Sequence, residues 1–433
     1  MSNFKLEFIL KQHTPMIHFQ SDQKGATLRA TELKPKLDRF LIELFKREGI
    51  DYSSFLLVGE DKALDYKVTI LTQENPIITK IDLFALDYKT KKIKKNRQEE
   101  QVTMPFPTFF ATMGKEWKSN PKYFSFTDKK IYINIKTLNS DLRKTIEENF
   151  ASFLAYTNFG TRQSKGFGSF YLDKDDERYI SVERALGLKK SWSFVVQTNT
   201  LVQSKVDSYY PKYGEYHSLF EKIELLYKTL RSGINLKDRN KKTVFYFKSL
   251  LQNYMIDCDD YNDWDKAIIK AKFLDNEDKT KLRILSRDLL GLSTIHEYKS
   301  EWFTVRHPKK EDNQKKYPLN EVERFKSPII FKPIKIEKTN SYKVYVTYQD
   351  KRVYSALLSK EILLLKEKNK KIEDSVKITL PSQFDLADFL DKSFSIEVDK
   401  HIKRYQKNHD KDYLEHFMGK DIVALYKSLE ETK

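Results

Sequence analysis

The chain opens on a strand followed by a helix. Apolar and charged side chains alternate over residues 4–10, which predicts a half-buried strand that His13-Thr14-Pro15 ends. A helical repeat follows, and we expect Thr31 to cap it, Pro35 to lie in its first turn and Gly49 to end it. The apolar face of this helix comprises Leu33, Leu37, Phe40, Leu41 and Leu44.

The rest of the first half returns to strands and then to a second helix. Strands are predicted over residues 53–58, 67–72, 77–88 and 130–136. Ser140 is predicted to cap a helix, and a strand leaves near Phe170. The inward positions of this helix are Leu142, Ile146, Phe150, Phe153 and Leu154. The resulting β-α…β-α-β order is compatible with a ferredoxin-like or RRM-like sheet.

A similar succession begins near Ser191, after a junction at residues 175–190. Ser382 and Asp385 resemble a capping box before another helix. The predicted strands are 192–202, 328–336, 342–348 and 394–399, and the predicted helices are 217–232, 244–256, 264–274, 278–291 and the tail from 410. We therefore predict an α+β chain of two ferredoxin-like domains with helical insertions. Its parts are an N-terminal domain at 1–178, a second domain at 190–400 and a C-terminal amphipathic helix at 401–433.

Composition adds a basic charge to this pattern. The 433 residues carry a net charge of +17, with an isoelectric point near 9.3, which favours nucleic acid as a partner. A lysine-rich, AT-biased genome is the alternative source of such a charge. The single cysteine, Cys258, excludes an intrachain disulfide and a CxxC zinc site. Because no signal peptide or membrane-length apolar run is present, we expect a cytoplasmic protein without membrane contact.

A glycine-rich segment, residues 159–170, follows the second helix. Arg162 and Lys165 lie among three of the chain's 12 glycines: Gly160, Gly166 and Gly168. Glycine accepts positive φ and lets another backbone come close, so the segment can bring main chain and positive charge to an anion. Its helix–loop–strand context excludes a dinucleotide fingerprint, and Phe167 after Gly166 excludes a P-loop. The structural alternative is a tight turn whose geometry merely requires glycine.

Two separated stretches of the first half resemble the RAMP superfamily of CRISPR-associated proteins, which are built from ferredoxin-like domains. FASFLAYTNFG leading into GTRQSKGFGSF is similar to the glycine-rich signature of that superfamily. Its N-terminal pattern, a Thr-Pro turn and then R-x-S-S-[IL]-[KR]-G-x-L-R, is matched at Thr14-Pro15, Arg29, Thr31, Leu33, Lys34 and Leu37. The sequence departs from that pattern at Pro35 and Asp38, and Arg39 follows the second departure.

A third stretch extends the resemblance into the second half. ERFKSPIIFKP, residues 323–333, is similar to the R-x-x-S-P-[IL] stretch of two-domain RAMP proteins. The resemblance covers the first 175 residues well and residues 190–400 loosely. It is strongest to the large two-domain RAMP subunit of the type III-B Cmr effector.

The resemblance implies a non-catalytic subunit that holds guide RNA, or the guide–target duplex, by backbone contacts. Its partners would be guide RNA, target RNA and other RAMP subunits, with no cofactor. The RNA-binding residues that it implies are Arg29, Lys34, Lys36, Arg39, Gly160, Arg162, Lys165, Gly166 and Gly168. A ferredoxin-like sheet also offers a flat face on which bases can rest.

Several alternatives remain open from the sequence. The main rival is a metal-independent endoribonuclease that matures guide RNA with His13 or His18. Asp22 lies where backbone RAMP subunits carry a metal-binding loop aspartate. The acidic stretch Asp257–Asp265 lacks the spacing of a calcium loop. The basic run Lys89–Arg97 is predicted to be a loop that contacts RNA, a neighbouring subunit or only solvent. A basic protein–protein adaptor without an RNA role is the third interpretation of the chain.

Overall fold

The structure, a computed structural model, describes most of the chain as an α+β fold. The described residues are 4–17, 28–80, 98–99, 123–187, 189–198, 214–238, 240, 242–257, 265–274, 284–292, 295–298, 303–313, 317–322, 324–369, 371–407 and 412–432. Among the predicted features, Lys89–Arg97, His18, Asp22 and Cys258 lie outside them.

Strands and helices are numbered here in chain order. The strands are β1 Lys5–Gln12, β2 Lys67–Thr72, β3 Ile77–Lys80, β4 Tyr123–Phe126, β5 Ile131–Lys136, β6 Phe170–Leu172, β7 Ser191–Gln197, β8 Ile234–Lys237, β9 Thr243–Phe247, β10 Ile295–Tyr298, β11 Phe303–Arg306, β12 Ile329–Ile336, β13 Ser341–Tyr348, β14 Glu361–Lys368, β15 Lys371–Thr379 and β16 Glu430–Thr432. The helices are α1 Ala30–Glu48, α2 Ser140–Ala155, α3 Val182–Leu186, α4 Gly214–Arg231, α5 Leu250–Asp257, α6 Asp265–Leu274, α7 Lys310–Asn313, α8 Lys351–Ser355, α9 Leu386–Phe394, α10 Val398–Arg404 and α11 Phe417–Lys427.

Neither of the two compact units is a continuous stretch of sequence. The first unit comprises Met1–Glu224, Ile330–Thr347 and Glu430–Lys433. The second comprises Leu225–Ile329 and Tyr348–Leu429. The chain therefore leaves the first unit within α4 and returns to it twice.

The first sheet of the first unit has the strand order β2-β5-β1-β6, and every neighbouring pair is antiparallel. Leu6, Phe8 and Leu10 of β1 point to the buried face, as their alternation predicts. Helices α1 and α2 contribute to the same core through residues such as Leu37 and Phe150. One face of this sheet is therefore covered by helices.

Helix α1 begins earlier than its sequence suggests. Arg29, in an extended conformation, is the N-cap residue, so the prediction that Thr31 caps the helix is wrong. Pro35 consequently lies in the second turn, where its missing N–H leaves the Thr31 carbonyl without a helical donor. The end is as predicted, because Gly49 adopts the left-handed conformation, with φ of 69°.

Helix α2 is capped one residue before the predicted position. The Asn139 Oδ1 atom accepts hydrogen bonds from the Asp141 and Leu142 amides, each at 3.0 Å. Ser140 is therefore the first helical residue and not the cap. The predicted inward positions are confirmed as buried: Leu142, Ile146, Phe150, Phe153 and Leu154.

The second sheet of the first unit has the order β12-β13-β7-β16. Strand β7 lies antiparallel to both β13 and β16. The predicted strands at 328–336 and 342–348 are confirmed as β12 and β13. This sheet joins a strand from the middle of the chain to the last described strand.

The second unit contains a sheet of order β10-β11-β14-β15 and the two-stranded sheet β8-β9. Val305, Leu364 and Ile378 from the larger sheet form a core with Ile269 and Phe273 of α6. The predicted helix at 264–274 is confirmed as α6.

Four predicted elements are wrong. Of the helix predicted at 278–291, the described residues 284–291 form only a 3₁₀ turn, Arg287–Leu290. The predicted strand at 53–58 holds a 3₁₀ turn, Ser53–Phe55, because the Asp51 side chain accepts from the Ser53 amide at 2.9 Å. The predicted helix at 244–256 divides into β9 and α5. The predicted strand at 394–399 is replaced by the start of α10.

Among the described residues, no helix has the length and apolar character needed to cross a bilayer.

Candidate nucleic-acid interface

The glycine-rich segment turns the chain sharply between α2 and β6. Gly160, Gly166 and Gly168 all have positive φ, at 78°, 85° and 64°. A β-carbon at Gly160 would overlap the Ile17 carbonyl oxygen, and one at Gly168 would overlap that of Phe159. One at Gly166 would lie 2.7 Å from Pro333 Cγ. Both the backbone conformation and close packing therefore require glycine at these positions.

The segment is hydrogen-bonded to residues 13–17, which hold the Thr-Pro turn. The Gly168 amide donates to the Pro15 carbonyl at 2.8 Å, and the Thr161 amide donates to the Ile17 carbonyl at 2.7 Å. The buried Thr14 hydroxyl donates to the Gly166 carbonyl at 2.6 Å and accepts from the Ser169 amide at 2.9 Å. The two stretches that carry the family resemblance are thus one bonded structure.

Helix α1 lies against the same segment through Glu32 and Lys36. The Gly160 amide donates to Glu32 Oε1 at 2.5 Å. Lys36 Nζ donates to Glu32 Oε1 and to the Asn158 carbonyl, both at 2.9 Å, and to Gln163 Oε1 at 3.2 Å. Burial lowers the pKa of Lys36, whereas the neighbouring Glu32 raises it. The ammonium of Lys36 therefore holds the segment against α1.

Lys34 and Lys165 are also engaged by the protein. Lys34 Nζ donates to Asp38 Oδ2 at 2.8 Å and to the Leu64 carbonyl at 2.9 Å. The departure from the family pattern at Asp38 thus supplies a buried partner for Lys34. Lys165 is buried, and its Nζ lies 3.9 Å from Glu224 Oε2. Neither lysine presents an open ammonium group on the surface.

The three arginines of the predicted set differ in their exposure. Arg39 is exposed, and Arg29 and Arg162 are half-buried. Arg29, Lys36 and Arg39 are seven and three residues apart, so they follow one stripe along α1. The positive charge of Arg39 makes a small further contribution to the lowered pKa of Lys36. Arg162 immediately precedes Gln163, which Lys36 contacts.

A lysine that the sequence did not single out lies behind the segment. Lys332 of β12 is fully buried, and its Nζ donates to the Thr157 carbonyl at 2.8 Å and the Phe170 carbonyl at 2.7 Å. Burial lowers its pKa well below the ordinary value, and the charge of Lys36 adds to the effect. In the sequence, the only indication that Lys332 matters was its position in the ERFKSPIIFKP stretch. That position did not reveal which groups Lys332 binds.

Strand β12 makes further contacts around Lys332. The Asn158 side chain donates to the Phe331 carbonyl at 2.8 Å, and the Ser169 hydroxyl donates to the Pro333 carbonyl at 2.7 Å. Residues 331–333 of the third stretch therefore meet the glycine-rich segment within the first unit.

His13, a residue of the endoribonuclease alternative, is buried. Its Nδ1 atom accepts from the Lys335 amide at 3.1 Å, and its Nε2 atom is inaccessible to solvent. Burial lowers the pKa of His13 to about 3, with smaller contributions from Lys332, Lys11 and Lys335. The ring is thus neutral near pH 7, but it offers no exposed nitrogen to a ribose hydroxyl.

Within the described ranges, no group of three or more His, Cys, Asp or Glu side chains could hold a metal ion. Most of the acidic stretch Asp257–Asp265 lies outside those ranges.

Comparison with known proteins bears on both halves of the chain. The family model described as the Cmr1 N-terminal domain matches residues 3–234, and that of the Cmr1 C-terminal domain matches residues 246–418. A comparison with curated protein sequences finds no match.

Two solved structures resemble the chain loosely. One is the crystal structure of Cmr1 from Pyrococcus furiosus in its apo form, at 10% identity and a TM-score of 0.36, covering 80% of this chain and 88% of that one. The other is a cryo-EM structure of the type III-B Cmr-beta complex bound to cognate target RNA. Its matched chain is 12% identical, with a TM-score of 0.26, and the match covers 40% of this chain and 59% of that one.

The two family models together span most of the sequence, including all three stretches that carry the resemblance. The RAMP resemblance is thereby confirmed, and the chain belongs to the Cmr1 family.

Proposed function

We propose that the protein is a non-catalytic RNA-binding subunit of a type III-B effector complex in the cytoplasm. It holds guide RNA, or the guide–target duplex, through the phosphate backbone, beside other RAMP subunits. Membership of the Cmr1 family supports the complex, and the net charge of +17 supports a polyanionic partner.

The strand order supports a ferredoxin-like fold for the first sheet. Strands β1, β2, β5 and β6 are connected as β-α-β-β-α-β, with α1 and α2 as the two crossovers and β3 and β4 as an insertion. The first and third of these strands lie side by side in the middle. The fourth and second lie at the edges.

The second sheet supports a second copy of that fold. Strands β7, β12, β13 and β16 take the equivalent places in the order β12-β13-β7-β16. Helix α4 follows the first of them, and α11 precedes the last. The proposed second domain thus reaches its last strand only near residue 430.

The observation that carries the function is the contact between the glycine-rich segment and α1, the helix whose stripe of basic residues comprises Arg29, Lys36 and Arg39. Glu32 and Lys36 fix the segment to α1, and Arg162 directly precedes Gln163, whose side chain Lys36 contacts. Guanidinium groups bind phosphate oxygens in bidentate fashion. The Arg29 side chain makes no capping hydrogen bond to α1, and the amides of a helix N-terminus attract an anion. In this proposal, Lys34, Lys36, Lys165 and the three glycines do not bind phosphate directly. They hold the backbone of the interface in place.

The test is the salt dependence of RNA binding by the pure protein. We expect the double variant Arg39→Ala/Arg162→Ala to weaken binding to single-stranded RNA of any sequence. Loss of two phosphate contacts should reduce the slope of log K against log salt by about 1.4. Filter binding between low and moderate salt measures both quantities. Arg47→Ala, an exposed arginine near the end of α1, is the matched control and should leave the slope unchanged.

Two results would contradict the proposal. One is no RNA affinity at moderate salt in the wild-type protein. The other is cleavage of a repeat RNA in EDTA that His18→Ala abolishes, because it would indicate the endoribonuclease alternative.

A further inference from the structure

The first sheet has a second face, opposite α1 and α2. On β1, β5 and β2, the inward apolar positions that form the core or pack against it are Leu6, Phe8 and Leu10 of β1, Ile131, Ile133 and Ile135 of β5, and Val68 and Ile70 of β2. The outward positions are Lys5, Glu7 and Ile9 of β1, Tyr132, Asn134 and Lys136 of β5, and Lys67, Thr69 and Leu71 of β2. The cross-strand register arranges them in three rows.

The first row consists of three lysines side by side. Lys5 pairs in register with Lys136, and Lys136 pairs with Lys67. Like charges directly opposite each other destabilise a sheet, so this row has a cost in the unbound protein. Lys5 reaches Glu7 on its own strand. Lys67 and Lys136 are exposed, and neither forms an ion pair with an acidic residue in the part of the chain that the structure describes.

The third row is apolar and contains an aromatic ring. Ile9 pairs with Tyr132, and Tyr132 pairs with Leu71. Leu71 is 54% exposed, so part of its apolar side chain is open beside Tyr132. Tyr132 and Ile9 are half-buried. The row lies four residues along the strands from the lysine row, a separation of about 13 Å.

We propose that this face binds a single-stranded segment of RNA. The phosphates lie on Lys5, Lys136 and Lys67, and a base stacks on Tyr132 between Ile9 and Leu71. A cationic row beside a stacking surface is the combination that single strands need, because they offer both a phosphate backbone and unpaired bases. The middle row, between these two, consists of Glu7, Asn134 and Thr69, and the Glu7 carboxylate pairs with Lys5. This inference rests on the proposed RNA-binding function, but it concerns the sheet face remote from α1.

The lysine row is tested by removing its two unpaired members. We expect Lys67→Ala/Lys136→Ala to lower the slope of log K against log salt by about 1.4 for single-stranded RNA. The matched control is Lys46→Ala/Lys62→Ala, which removes the same charge from two exposed lysines of the first unit. The control should keep the wild-type slope. Equal loss in both double variants would overturn the inference, because it would reflect net charge alone.

The stacking site is tested at Tyr132. Tyr132→Leu keeps an apolar side chain suited to a strand but removes the ring, so we expect binding to weaken roughly 5- to 100-fold. Tyr132→Phe keeps the ring and should bind as the wild type does. Ultraviolet cross-linking of the full-length protein to a uridine-rich oligonucleotide, followed by mass spectrometry, should place a cross-linked base on Tyr132. Thermal unfolding of each variant shows that it is folded.

The outcomes separate this inference from the proposed function. If wild-type protein binds RNA and only the arginine variant weakens it, the sheet-face site is wrong and the function stands. If the lysine and Tyr132 variants weaken binding while their controls do not, the site is supported. If the wild type binds no RNA, both fail.

Discussion

Buried titratable side chains surround the glycine-rich segment. Lys332 lies inside the first unit with carbonyl oxygens as its acceptors, and His13 is almost fully buried nearby. Burial disfavours the charged form of each side chain, so their pKa values fall. These residues connect the segment to β12 through hydrogen bonds and not through surface charge.

The lowered pKa of His13 predicts a loss of stability in mild acid. Its pKa is about 3 when folded and near 6.5 when unfolded, so the unfolded chain takes up the proton first. The stability is complete above pH 6.5 and declines as the pH falls towards 3, by about 1.4 kcal/mol per pH unit. His13→Asn keeps an acceptor for the Lys335 amide and removes this titration.

Urea unfolding at pH 6.5 and pH 5 measures the effect. The wild type should lose about 2 kcal/mol more than His13→Asn over that interval. His401, whose pKa burial also lowers, contributes equally to both proteins. Parallel losses in the two proteins would show that His13 is not buried as described.

At the scale of elements, the need for glycine in the glycine-rich segment comes from its backbone conformation and close packing, and not from its charge. Its glycines take positive φ, and β-carbons there would meet Ile17, Pro333 or Phe159. Arg162 has φ of 58° without being glycine, a conformation that costs free energy. The segment is therefore a close-packed turn that presents Arg162. The glycine-rich family signature and the tight turn that requires glycine, given as alternatives in the sequence analysis, are therefore the same segment.

Gly168→Ala tests this packing. Alanine would suffer the positive φ and an overlap with the Phe159 carbonyl, so we expect a loss of roughly 2–4 kcal/mol in the free energy of unfolding. Gly49→Ala is the matched control, because Gly49 has a similar φ of 69° but no atom within 4 Å of a β-carbon. Its loss should be about 1 kcal/mol. Denaturant unfolding compares the two, and equal losses would show that the overlap is relieved without cost.

At the scale of the molecule, the first unit is assembled from three parts of the chain. Residues Ile330–Thr347 return to it between the two parts of the second unit, and Glu430–Lys433 return after the second of those parts. Lys332, Phe331 and Pro333 then meet carbonyl, amide and hydroxyl groups near the glycine-rich segment. The unit thus depends on contacts between residues some 160 to 175 positions apart.

A fragment of residues 1–178 should therefore be unstable. It keeps the first sheet but lacks the β12 contacts, so the Thr157 and Phe170 carbonyls lose their donor and Gly166 loses Pro333. We expect it to unfold at a lower temperature than the full chain, without a single cooperative transition. Circular dichroism during heating measures this, and a fragment as stable as the whole chain would contradict it.

Local patterns determined the first sheet and its helices. Alternation predicted β1, β2 and β5, and apolar spacing predicted α1 and α2, because each element buries one face at a fixed period. Helix ends were displaced by one or two residues, since Arg29 and Asn139 precede the caps that composition favoured. The strand predicted at 53–58 was wrong because the Asp51 side chain satisfies the backbone locally.

The candidate site was only partly predictable. The sequence identified the glycines and the cations near them. It could not show that Lys34, Lys36 and Lys165 are engaged by protein acceptors, because those acceptors are carbonyls and carboxylates distant in the chain. The same holds for the lysine row of the outer face, because its two pairs, Lys5 with Lys136 and Lys67 with Lys136, join residues 131 and 69 positions apart.

The sequence by itself determined an α+β chain, its basic charge and its membership of a recognisable superfamily, because periodicity, composition and short motifs are local properties. Only the tertiary structure decided which cations are accessible, which strands share a sheet and that β12 completes the first unit. Those outcomes depend on burial and on register between distant segments, and neither quantity is written in any one stretch of residues.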